Sequence, residues 1–324
     1  MKVAVINSRS LNVDGQLNLD RFSSLGELVI GEVADRDDDD AAIALMKDAD
    51  AAYISLLNIT KKMLDECPKL KIYSLSATGY DWIPKEILAY AREKGVLICN
   101  NPLYGSSAVA QQAFALLMEL TNAVGIHDRS LRNGDWARNG HSYWLTPLHE
   151  LLGKTVGVIG MGNIGTRFAR MAAGFDTEIL TYSEYISEEG KKLAEQVSLE
   201  ELLRRSDIIS LHCPLFDSTR EMINKETIAQ MKDGAILINS ARGGLINEQD
   251  VADALKSGKL GGYGADAFTV EPITADNPLL SAPNCCLTPH LAWMPLETRQ
   301  RNLDHGAANI EAYFAGNPVN VINR

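Results

Sequence analysis

Short apolar runs alternate with amphipathic ones along almost the whole chain. "KVAVI", "AAYISL", "KIYSLS" and "GVLICN" read as strands. Between them, "DAAIALMKD", "TKKMLDEC" and "IPKEILAYAREKG" carry apolar residues at helical spacing. The last has Pro84 near its start and Gly95 just past its end, the asymmetry expected of a helix. This alternation predicts a parallel sheet covered by helices.

The rhythm breaks at "NNPLYGSSAVAQQAFALLMELTNAVG", where Asn-Pro ends a strand and Ser106 or Ser107 can cap a long helix. The next stretch, "HDRSLRNGDWARNGHSYWLTPLHELLGK", is polar, bears aromatics and shows little periodicity. A second series begins at "KTVGVIG". Its strands are "TVGVIG", "EILTY", "DIISLH", "AILINS", "GYGADAF" and "CCLTPH", and "LETRQRNLDHGAANIEAYFAGN" closes the chain as a helix. Two α/β units are expected, the second inserted in the first or following it. No short repeat or low-complexity segment interrupts them.

Bulk properties agree. At 324 residues the chain exceeds one ordinary core and suits two domains. No apolar run approaches the roughly 18–20 residues needed to span a bilayer. The opening "MKVAVINSRS" reads as a strand rather than a signal peptide. A net charge of -11 without a basic cluster argues against nucleic acid. A small anionic substrate stays compatible, because a local pocket can oppose the overall sign. The five cysteines are odd in number and lack C-x-x-C spacing, so reduced, buried thiols in a cytoplasmic protein are expected. Adjacent Cys285 and Cys286 should point to opposite faces of one strand. The run "DRDDDD" (35–40) reads as a solvated loop feeding a helix N-terminus, where negative charge is favoured. A calcium loop would need alternating ligands and a turn glycine, so no metal is expected.

The sharpest motif is "TVGVIGMGNIGTRFARMAAG". A buried strand runs into Gly160-Met161-Gly162-Asn163-Ile164-Gly165 and then into a helix. Gly160 allows the tight turn, Gly162 admits a pyrophosphate to the backbone, and Gly165 allows helix and strand to pack closely. The helix N-terminus offers unpaired N–H groups to the phosphates. No Gly-Lys-Ser/Thr follows, so this is not a Walker loop. The next strand, "EILTYSEYIS", should end with the ribose reader. Ser183 stands where an acidic residue would select NAD, and Glu184 follows it. Serine leaves room for a 2′-phosphate, but Glu184 would repel one and no adjacent Arg or Lys would hold one. NAD is therefore expected over NADP.

Three chemically capable groups follow strands of this second series. Arg242 follows "ILINSA", Glu271 follows "GADAFTV", and His290 follows "CCLTP". Ligands of doubly wound sheets bind outside the carboxyl ends of strands. A cation, a carboxylate and a titratable imidazole can therefore converge beside a nicotinamide.

"GMGNIG", "INSARGGLINE", "ADAFTVEP" and "TPHLAW" together resemble the D-isomer-specific 2-hydroxyacid dehydrogenases, and the resemblance runs along essentially the whole chain. "SATGYDWI" is similar to the family's substrate-carboxylate loop. "YGSSAVAQQAFALLMEL" and "YWLTPLHELLGKTVGVIG" look closer to its glycerate dehydrogenase (hydroxypyruvate reductase) branch. The resemblance implies two Rossmann-like doubly wound domains. A dinucleotide-binding domain, 103–291, would be inserted into a split, flavodoxin-like substrate domain, 1–102 and 292–324. It implies that Arg242 holds the substrate carboxylate and polarises the ketone. His290 would be the acid–base and Glu271 its partner. Asn163 and Ile164 would contact the pyrophosphate, Ser240, Ala241 and Asp266 the nicotinamide region, and Cys213-Pro214 the adenine side. Ala77, Thr78 and Gly79 would present N–H groups to the substrate. It also implies a homodimer, with Trp136, Tyr143 and Trp144 near its interface.

The activity so implied is hydride transfer between NAD(P)H and a small 2-keto or D-2-hydroxy acid, first of all hydroxypyruvate and D-glycerate. Glyoxylate or pyruvate is the alternative substrate. A protein that senses NAD(H) without turnover is the alternative class, since fold alone does not fix function.

Overall fold

Among the described residues every pairing between the strands is parallel, as the alternating pattern predicts. In a computed structural model of the chain, which describes residues 1–140 and 146–324, they form two sheets in two units. One unit comprises Met1–Gly105 with Trp293–Arg324, the other Ser106–Ala292.

The first unit holds β1 (Lys2–Ile6), β2 (Glu27–Gly31), β3 (Ala51–Ile54), β4 (Ile72–Leu75) and β5 (Leu97–Cys99). Their order, β2-β1-β3-β4-β5, is the flavodoxin order. Alternate side chains feed two cores. Ala4, Ile6, Ala52, Ile54, Tyr73 and Leu75 face one way. Val3, Val5, Ala51, Tyr53 and Ile72 face the other, packed with Leu303, Ala307 and Ile310 of the helix Leu296–Phe314. Burial on both faces explains why these strands read as continuous apolar runs. β2 escapes the sequence reading because it is an edge strand whose side chains are half-buried or exposed. The acidic run behaves as expected. The Asp38 side chain caps the helix Asp39–Met46 by accepting from the Ala41 N–H, and Asp39 and Asp40 fill its first turn.

The second unit holds β6 (Thr155–Met161), β7 (Glu178–Ile186), β8 (Glu195–Gln196), β9 (Ile208–Leu211), β10 (Ala235–Asn239), β11 (Leu260–Ala265) and β12 (Cys285–Leu287). The order is β12-β11-β10-β9-β6-β7-β8. Counted from β6, this is the dinucleotide-binding order with one strand added at an edge. β6 lies where the order reverses, between β9 and β7. Cys285 packs into the core on one side of this sheet and Cys286 into the core on the other, as adjacent strand residues must.

Four expectations need correction. The long helix starts at Ser106 itself (Ser106–Asn122), so neither Ser106 nor Ser107 precedes it as a cap. The stretch after it is not aperiodic throughout. It contains the helices Val124–Arg132 and Asp135–Asn139, whose exposed, charged faces hide the period. β7 does not end at the presumed ribose reader. It continues to Ile186 across a bulge, because Ile159 pairs with Tyr182 but Met161 with Ile186. All five cysteines are free, but only Cys67 and Cys99 are fully buried. The other three are half-buried. Trp136 lies exposed in the helix Asp135–Asn139, while Tyr143 and Trp144 lie outside the described residues.

Candidate active site

The glycine loop leaves β6 at the reversal point. Gly160 has φ +93°, which glycine adopts without strain, and a Cβ there would meet the backbone nitrogen of Cys213 at 2.6 Å. Cys213-Pro214, which follow β9, therefore lie against this turn. A Cβ on Gly165 would sit 2.0 Å from the Gly160 carbonyl oxygen, so the helix Asn163–Ala173 packs directly on the loop. Gly162 differs: it has ordinary φ, and a Cβ there would meet nothing within 4 Å. That is open space in front of a helix N-terminus with no side-chain cap, at Asn163 and Ile164. Such a cradle fits a pyrophosphate.

Ser183 and Glu184 lie in the bulge of β7. The Ser183 hydroxyl accepts from the Met161 N–H at 3.0 Å and donates to the Tyr185 carbonyl at 2.5 Å, tying the bulge to the glycine loop. Glu184 is exposed.

Arg242, Glu271 and His290 follow β10, β11 and β12, three consecutive strands of the sheet. His290 Nδ1–H donates to Glu271 Oε2 at 2.6 Å. The other carboxylate oxygen, Oε1, accepts from the Phe268 N–H at 2.9 Å. The hydrogen bond from Glu271 raises the His290 pKa above 6.5, against the opposing effect of burial. The Glu271 charge and, more weakly, Asp266 act in the same sense, and Arg242 opposes them. For Glu271, burial raises the pKa, but the His290 and Phe268 hydrogen bonds and the charges of His290 and Arg242 prevail and hold it below 4.5. Arg242 thus shares one electrostatic neighbourhood with the pair. His290 has φ +51°, uncommon for a residue with a side chain, and its N–H bonds to the Thr288 carbonyl at 3.0 Å.

Two residues, Asn239 buried and Thr288 half-buried, build the loops that carry these groups, and sequence reading assigned them no such part. Asn239, fully buried at the end of β10, accepts from the Ala241 N–H and donates to the Arg242 carbonyl. It folds the chain into a turn that presents Arg242. An Asn closing an apolar strand is the signal for such a turn. Thr288 donates to Asp266 Oδ1 at 2.6 Å and accepts from Gln112.

Asp266 itself is 2% exposed, and its oxygens also accept from the N–H groups of Leu291 and Ala292, the two residues directly after His290. Its visible work is to hold that segment. Among the described residues the buried Ser240 hydroxyl has no hydrogen-bond partner. An orphaned donor beside Arg242 fits a site that a ligand completes.

Ala77, Thr78 and Gly79 belong to the other unit, in the loop after β4. Asn100 donates to the Thr78 carbonyl, the Asn101 N–H to the Ala77 carbonyl, and the Thr78 hydroxyl to the Asn101 carbonyl. Carbonyls and hydroxyl being engaged, the loop keeps a fixed backbone. Among the described residues no group of His, Cys, Asp and Glu is arranged to hold a metal, and no helix is long and apolar enough to cross a membrane.

Comparison with known proteins bears on this geometry. The family description "D-isomer specific 2-hydroxyacid dehydrogenase, NAD binding domain" matches residues 114–292. The chain is 40% identical, over the full length of both, to a hydroxypyruvate reductase of Blautia hydrogenotrophica. It is 38% identical to a glyoxylate reductase of Korarchaeum cryptofilum, over 87% of this chain and 85% of that one. Among solved structures, an acyclic imino acid reductase (Bsp5) in complex with NADPH and D-Arg is similar with a TM-score of 0.83. It shares 30% identity and covers 99% of this chain and 100% of that one.

Proposed function

The chain belongs to the D-isomer-specific 2-hydroxyacid dehydrogenase family, and from that premise we propose that it reduces hydroxypyruvate to D-glycerate, with NADH preferred. The 2.6 Å contact of His290 with Glu271, which follow β12 and β11 beside the β10 that presents Arg242 in the order β12-β11-β10, carries the reading. The full-length similarity to a hydroxypyruvate reductase narrows the substrate.

A reduced nicotinamide, when bound, supplies the hydride. The chain's part is to bind, orient and move a proton. Reduction of a 2-keto acid places negative charge on the ketone oxygen. His290, held protonated by Glu271, gives that oxygen a proton, and in the oxidation takes the hydroxyl proton back. Nδ1 is committed to Glu271, so Nε2 does this work. Arg242 grips the substrate carboxylate with two parallel N–H groups and polarises the ketone, a geometry lysine does not match. Ala77, Thr78 and Gly79 offer backbone N–H groups to substrate, as the sequence resemblance implies. The N–H groups of Asn163 and Ile164 hold the pyrophosphate, Ser183 and Glu184 face the adenosine ribose, and Cys213-Pro214 flank the adenine. Ser240, Ala241 and Asp266 border the nicotinamide. We place the work in the cytoplasm and in a homodimer, whose interface would take in Trp136.

The test is loss of reduced-nicotinamide absorbance with hydroxypyruvate, glyoxylate, pyruvate and 2-oxobutyrate, each against NADH and NADPH. Hydroxypyruvate with NADH should give the highest kcat/KM. A higher value for glyoxylate or pyruvate would reassign the substrate. Tight NADH binding with no turnover of any acid would replace the enzyme reading with that of a nucleotide sensor.

A further inference from the structure

We propose that Glu248 is a positioning residue for the acid–base pair, acting through the loop that carries Glu271. Glu248 lies in the first turn of the helix Glu248–Ser257, six residues beyond Arg242. Its Oε1 accepts from the Thr269 N–H at 2.9 Å and its Oε2 from the Asn277 side-chain amide at 2.8 Å. Glu271 lies between those two anchor points.

The loop needs such anchors. Thr269, Val270, Glu271, Pro272, Thr274, Ala275 and Asp276 are all exposed, so little apolar burial fixes them. Asn277 is 8% exposed, and its carbonyl-side oxygen is occupied by the Leu279 N–H. Only its amide nitrogen is left for Glu248. Upstream, the loop rests on Gly243, where a Cβ would lie 1.9 Å from the Phe268 carbonyl carbon. The segment that presents Arg242 and the segment that presents Glu271 therefore touch backbone to backbone at one end. Glu248 fastens them a second time. A carboxylate suits both donors, because each of its oxygens accepts.

The consequence reaches His290 through Glu271. Among the described residues, the charged groups acting on the imidazole are Glu271, Asp266 and Arg242, and those acting on Glu271 are His290 and Arg242. Of these, Glu271 alone stands on an exposed loop held at both ends by Glu248. Loosening that loop lengthens the contact with His290 and weakens the preference for imidazolium, while Asp266 and Arg242 stay where their own turns hold them.

This inference rests on the proposed function only for its kinetic arm. The primary experiment follows His290 by NMR titration in full-length wild type, Glu248→Ala and Glu248→Gln, with His290→Gln to assign its signal. The midpoint should fall by about half a pH unit or more in Glu248→Ala. It should fall less in Glu248→Gln, which keeps an acceptor for Thr269 but turns N–H against the Asn277 amide. A midpoint unmoved in both variants overturns the proposal. If Glu248→Ala does not fold, Glu248→Gln decides by the same criterion.

The kinetic arm reads kcat/KM for keto-acid reduction against pH. Its alkaline limb should move to lower pH, with about a tenfold or greater loss near neutrality. A uniform loss with an unmoved limb, the signature of a merely structural role, also overturns it. Wild type that reduces no keto acid, with a midpoint that still falls on substitution, would sink the substrate assignment and leave the positioning role standing.

Discussion

His290 Nδ1 and Glu271 Oε2 lie 2.6 Å apart, and each group shifts the other toward its charged form. The imidazole titrates above 6.5 and the carboxylate below 4.5, so the two are an ion pair throughout the interval between. Keto-acid reduction needs the protonated imidazole and should therefore be sustained to a pH above that of an ordinary histidine, then fall as the pH rises through the raised pKa. Glu271→Gln removes the charge that favours imidazolium. Its alkaline limb should move to lower pH, with kcat/KM for reduction reduced about 100- to 10,000-fold at neutral pH. A pH profile superimposable on wild type would refute the coupling.

Arg242→Lys keeps the positive charge but loses the planar fork. The Asn239 side chain bonds to the backbone carbonyl of residue 242, not to its side chain, so the turn should survive. Melting temperature should change little, while kcat/KM for the keto acid falls by about 100-fold or more with the loss of a bidentate contact. Near-normal kinetics in the folded variant would remove Arg242 from the substrate.

Gly162 and Gly165 should separate binding from folding. A Cβ at residue 162 meets nothing within 4 Å, whereas at residue 165 it lies 2.0 Å from a carbonyl oxygen. Gly162→Val should leave the melting temperature near wild type and weaken NADH binding by about tenfold or more, equivalent to at least ~1.4 kcal/mol. Gly165→Ala should lower the melting temperature. Equal loss of stability in both would show that residue 162 serves packing.

Ile238 is fully buried in β10, one residue before Asn239, in the same core as Ala110, Ala113 and Leu116. Ile238→Ala should cost about 2–5 kcal/mol in urea unfolding, the usual cost of such a cavity. A cost below about 1 kcal/mol would mean that the site collapses around the deletion.

Much of this was legible in the sequence because the central strands of both sheets are buried on both faces. "KVAVI" and "AILIN" read as strands from apolar continuity alone. The glycines of 160–165 announced the loop, since a turn, an open approach and a close packing each exclude side chains. What stayed hidden depends on contacts distant in sequence. That Thr288, Leu291 and Ala292 all bond to Asp266 does not follow from any local pattern. Nor does the bulge at Ser183, which arises from a two-residue mismatch between β6 and β7. β2 was missed because an edge strand has only partial burial to imprint on its residues.

Cys285 and Cys286 give the protein a built-in pair of chemical probes. They belong to one three-residue edge strand, face opposite cores, and lie just before the turn that holds His290. Burial pushes both thiols up, Cys285 to about 11, so each is a poor nucleophile while the strand stays in place. Their alkylation rates should therefore time the peeling of β12 from β11, side by side and on both faces. That would measure how often the His290 turn loses its foundation, without a single catalytic turnover.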